Sequence, residues 1–64
     1  MTQKDILFIR AMFAQRFNFM DDWHRLWDSM KDDIVSDIEN TASKDFHSGD
    51  VDMAIARTLA KRLL

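Results

Sequence analysis

The sequence predicts an all-α fold. It contains no proline and a single glycine, Gly49, so few positions force a helix to stop. Large apolar residues recur at spacings of three and four, and no stretch alternates β-branched with polar residues as a half-buried strand would. The expected architecture is one domain, 1–64, of two or three helices in an antiparallel arrangement, spanning about 3–17, 20–46 and 50–63. These are expected to assemble as a dimeric helical bundle.

The first helix should begin after Thr2, which with Asp5 three residues on forms a capping box with aspartate in the glutamate place. Its apolar residues form no single stripe. Ile6, Ile9, Phe13, Phe17 and Met20 make one face, Phe8, Met12 and Phe19 a second, and Leu7, Ala11 and Ala14 a third. A helix apolar on several sides is normally covered on several sides, which is one argument for a second copy. Asn18 suits the end of this helix, and Asp21 and Asp22 suit the start of the next through the helix dipole. The apolar phase nevertheless carries from Ile9 to Ile34, so a continuous helix of about 40 residues is an alternative.

The second helix centres on DDWHRLWDSMKDDIVSDIEN, residues 21–40. Trp23, Leu26, Trp27, Met30, Ile34 and Ile38 lie on one stripe, and the opposite side is mostly acidic. Ile9, Phe13, Phe17, Trp23, Trp27, Met30 and Ile34 are therefore the expected core or dimer interface. Gly49 is expected just past the end of this helix, in the left-handed position. Ser48 or Asp50 should cap a third helix, whose stripe is Val51, Ile55, Leu59 and Leu63 with the small Ala54 and Thr58 beside it. Asp50 and Asp52 at its start and Arg57, Lys61 and Arg62 near its end agree with the macrodipole.

Composition sets the other bounds. A chain of 64 residues buries only about 60% of the surface its unfolded form exposes, so stability is marginal without a staple. With no cysteine and two histidines, neither a disulfide nor an ordinary zinc site is expected. Five Met, five Phe and two Trp are more bulky side chain than a lone three-helix unit easily covers, which again favours a homodimer. The longest apolar run, Ile6 to Ile9, ends at Arg10. That is too short for a membrane span, the same Arg10 interrupts the apolar segment a signal peptide would need, and a cytoplasmic protein is expected. The four phenylalanines of residues 3–20 do not make a membrane-surface helix, because Lys4, Arg10 and Arg16 are spaced around its circumference.

Net charge is −2, distributed unevenly. Residues 1–20 carry +2, residues 21–39 carry −5 with seven acids against two bases, and residues 40–64 carry +1. Within the middle segment Asp28/Asp32 and Asp33/Asp37 are like charges one turn apart, which costs a helix a few tenths of a kcal/mol each. Pairing with bases of the other helices is the plainer reason for this; an acidic face, Asp28, Asp32, Asp33, Asp37 and Glu39, that docks a basic protein partner is the functional one. Arg16 or Arg62 is the expected neighbour of Asp37. His24 and Asp28 sit one turn apart, but without a nucleophile or a third ligand they imply neither catalysis nor a metal. Ser29, Ser36, Ser43 and Ser48 stand in no catalytic context. No cofactor is expected.

The chain resembles small accessory proteins encoded in the early regions of temperate phages, being very short, cysteine-free and rich in bulky apolar residues, with the opening MTQKDILFIRAMF. The resemblance is one of general character over the whole length, with no diagnostic motif, so no functional position is carried over from it. It implies a protein that modulates a phage or host partner. The expected function is thus a non-enzymatic regulatory interaction protein. The alternative is a small DNA-binding regulator contacting phosphate through Arg57, Lys61 and Arg62, although three bases on an acidic chain supply little counterion release.

Overall fold

Helix α1 spans Gln3–Phe17 in the computed structural model of the chain, which describes residues 1–42 and 45–64. The Thr2–Asp5 capping box forms: the Asp5 backbone N–H donates to Thr2 Oγ1 at 3.2 Å, and the Thr2 N–H donates to the Asp5 carboxylate at 3.2 Å. Asn18 closes the helix, and residues 18–22 turn the chain. The turn is held by the Met20 N–H donating to the Phe17 carbonyl (3.0 Å) and the Trp23 N–H donating to the Met20 carbonyl (3.3 Å). The uninterrupted 40-residue helix is not formed, because folding back brings Trp27 against Phe13, with ring centroids 5.4 Å apart.

Helix α2 spans Trp23–Thr41 and is shorter than the expected 20–46. Thr41 ends it: the hydroxyl donates back to the Asp37 carbonyl at 2.8 Å, and Ala42 is already extended while its N–H still reaches the Ile38 carbonyl at 2.9 Å. Asp45 and Phe46 are not helical; the part of the expected extension at 43–44, with Ser43, lies outside the described residues.

Helix α3 spans Ser48–Leu63, and its start corrects two expectations. The cap is His47, rather than Ser48 or Asp50. Its Nδ1 accepts the Gly49 N–H at 3.1 Å, and Asp50 completes a capping box by accepting the His47 N–H at 2.9 Å. Gly49 lies inside the first turn without a positive φ, so it is no left-handed helix terminator. What it supplies is room: a Cβ there would lie 3.0 Å from the His47 ring.

Ion pairs and one ring contact give the directions of packing. Met1 with Glu39 and Phe13 with Trp27 set α1 antiparallel to α2; Asp37 with Arg57 and Asp33 with Arg62 do the same for α2 and α3. The core is filled by Ile9, Met12 and Phe13 of α1, by Trp27, Met30, Ile34 and Ile38 of α2, and by Val51, Ala54 and Ile55 of α3. Thr58 is buried with them. Phe17 and Trp23, expected in the core, are half-buried at its edge. Phe17 stacks on Phe13 at 4.5 Å, and the Arg10 guanidinium lies 4.9 Å above the Trp23 ring. In α3 the buried side is 51, 54, 55 and 58, which turns Leu59 to the edge and leaves Leu63 exposed.

Candidate functional site

The five acids proposed as a contact face divide by what they touch. Asp37 faces inward, its side chain 8% exposed, and belongs to the α2/α3 interface. Arg57 Nη2 donates to it at 2.6 Å and Arg57 Nε at 3.0 and 3.1 Å, while Thr41 Oγ1 lies 3.4 Å away. These charged hydrogen bonds, reinforced by the nearness of the guanidinium, hold the Asp37 carboxyl below its ordinary range against the opposing effect of burial. The neighbour expected from sequence, Arg16 or Arg62, is thus replaced by Arg57. Arg16 instead pairs with Asp52 of α3 through both Nε and Nη2, lowering the Asp52 carboxyl by the same cause.

Arg62 donates to Ser29 Oγ at 2.8 Å and to the Ser29 carbonyl at 2.7 Å, and reaches Asp33 at 3.5 Å. Glu39 receives the N-terminal ammonium at 3.4 Å, and Asp28 has Lys31 at 3.9 Å. Asp32 is exposed. The like-charge pairs along α2 are therefore offset largely by bases of α3 and of α2 itself; Asp37 is withdrawn from the surface, while Asp28, Asp32, Asp33 and Glu39 stay exposed. The same contacts engage Arg57 and Arg62, two of the three bases assigned to nucleic acid; Lys61 is exposed.

The two histidines serve packing and capping. His24 packs edge-on against Trp23 at 6.1 Å, His47 is a cap, and among the described residues no group of three His, Cys, Asp or Glu is placed to hold a metal. A cleft of about 590 Å³ opens between the start of α1 and the end of α2, lined by Met1, Thr2, Asp5, Ile38, Glu39 and Phe46. Its carboxylates are already engaged, Asp5 in the helix cap and Glu39 with the N-terminus. No helix among the described residues is long and apolar enough to cross a membrane.

The surface that is unusual is the outward side of α1. At 100° per residue, Leu7, Ala11 and Ala14 point directly away from Ile9, Met12 and Phe13, and Phe8 borders them. Leu7 is 54% exposed and Phe8 45%, and Phe19 in the following turn is 76% exposed. Phe8 meets the half-buried Phe46, with centroids 6.0 Å apart. The sequence groups Leu7 with Ala11 and Ala14, and Phe8 with Met12 and Phe19; Met12 is buried and Phe19 lies in the turn beyond α1, so Phe8 alone of that second group adjoins Leu7 on the helix. What it does not reveal is that α2 and α3 both pack on the Ile9 side, leaving the Leu7 side bare.

No known protein-family model, curated protein or solved structure matches this chain. The functional reading therefore rests on surface chemistry alone.

Proposed function

We propose that this protein is a non-enzymatic interaction module that binds and modulates a protein partner. Its contact surface is the outward side of α1, in place of the acidic side of α2. The observation that supports this is the exposure of Leu7 and Phe8 beside Ala11: two large apolar side chains on adjoining faces of a helix in a domain too small to spare them from its core. In the rival acidic surface, Asp37 is buried against Arg57, and Asp33 and Glu39, though exposed, already have cationic partners in the same chain. Engagement of Arg57 and Arg62 likewise weakens the DNA-binding reading, for which retention on heparin at low salt is the check; none is expected.

The test is affinity capture from the native cell with the intact chain and with a Leu7→Asp/Phe8→Ser variant whose helicity is verified by circular dichroism. A protein held by the intact chain and lost with the variant supports the reading. Asp28→Asn/Asp32→Asn should retain it. Capture that survives the α1 variant and fails with the acidic one overturns the choice of surface.

A further inference from the structure

We infer that the occupant of this surface is a second copy of the chain, docked α1 against α1 in an antiparallel, two-fold arrangement centred on Ala11. This rests on the reading of α1 as the contact surface and names its partner. In such a pair, residues equally spaced on either side of Ala11 face each other across the axis. Phe8 then lies level with the small Ala14, Leu7 with the uncharged Gln15, and Ala11 with its own copy, so the largest outward side chain falls beside a small one. Lys4 is the one ionised residue on the outward stripe of α1, and it lies at the end of the contact.

Charge fixes the register. Lys4 is brought opposite Asn18 of the other copy, beside the turn that leads into α2. Residues 18–28 carry Asp21, Asp22 and Asp28 against Arg25, a net charge of −2, and Asp21 and Asp22 are exposed. Each Lys4 therefore meets an acidic segment, and the two-fold axis makes the pairing twice. The two lysines are separated by 14 residues of helix, about 21 Å, which is beyond the screening length at physiological salt. The same register carries residues 1–3 of one copy over Phe19 of the other, the most exposed aromatic side chain described. Such an isologous contact closes on itself and leaves no open end for polymerisation. One helix of 15 residues per copy gives a contact smaller than the standard interface, so dissociation on the order of 10 μM is expected.

The experiment is light scattering with gel filtration on the intact chain and on charge variants at exposed positions, across a concentration series. At high micromolar concentration the intact chain should have about twice its 7.6 kDa mass. Lys4→Glu and Asp21→Lys should each weaken the dimer by about tenfold. Placing both in one chain should restore it to within about twofold, because the opposite charges again meet across the axis. A double variant as weak as the single ones overturns the register. An intact chain that stays monomeric at every concentration overturns the dimer; if the α1 variant then still loses a captured protein, the interaction reading survives and its occupant is a different polypeptide.

Discussion

Arg57 crosses from α3 to α2 and donates to both carboxylate oxygens of Asp37 at 2.6 to 3.1 Å, over the last turn of α2 and beside Thr41. It joins the two helices near the point where the backbone of α2 ends. Asp37→Ala should therefore cost about 1 kcal/mol in denaturant titration, allowing for solvent screening of the pair. In a double-mutant cycle with Arg57→Ala the two changes should be clearly non-additive. Additive losses would show that the pair contributes little.

Acid should destabilise the fold through two of its carboxylates. Asp37 and Asp52 are both held below their ordinary range by arginine, so in the folded state each gives up its charge at lower pH than in the unfolded chain. Their contribution is complete above the unfolded carboxylate value of about 3.9 and is lost as pH falls through the lower folded values. Midpoints measured from pH 6 to pH 2 should drop below about pH 4, and Asp37→Asn/Asp52→Asn should flatten that part of the curve. An unchanged slope would exclude these two groups as its source.

The cap of α3 is open to a selective test. His47→Ala removes the acceptor for the Gly49 N–H and should cost about 1 kcal/mol, whereas His47→Asn should keep most of it. Gly49→Ala should cost less than His47→Ala, because the exposed imidazole can yield the few tenths of an ångström its methyl needs while alanine favours the helix. Hydrogen exchange of the amide at position 49 is the readout: it should speed up most in His47→Ala while the middle of α2 stays protected.

Core packing sets the tolerance of the whole domain. Ile34 is fully enclosed, so Ile34→Val should cost about 0.5–1.5 kcal/mol and Ile34→Ala about 2–5 kcal/mol. In a chain of this size the second loss is comparable with the total stability, and the alanine variant should be largely unfolded at room temperature by circular dichroism.

Much of this arrangement was legible in residue spacing. The stripe through Trp27, Met30, Ile34 and Ile38 predicts the buried side of α2 because burial selects large apolar side chains at helical intervals. The Thr2–Asp5 box likewise announces the start of α1. Local spacing fails where the deciding contact comes from elsewhere in the chain. Whether Asp37 is a surface charge or an interior one depends on which turn of α3 lies beside it, and helical periodicity does not encode that neighbour. An imidazole is an uncommon cap, so spacing does not point to His47, and Gly49, two residues on, resembles a terminator when its role is to make room. On α1, three apolar faces gave no ranking; the choice of the bare one follows from where the other two helices settle.

The turn at residues 18–22 contains neither glycine nor proline, and no described residue has a positive φ. Nothing in its stereochemistry obliges the chain to reverse there, so the bend exists because the aromatic rings on either side of it pull together. A solvent that dissolves those ring contacts while favouring helices, such as aqueous trifluoroethanol, should straighten the hairpin into a single rod. Helicity would then rise as the globule opens, and the molecule would lengthen before it lost its secondary structure.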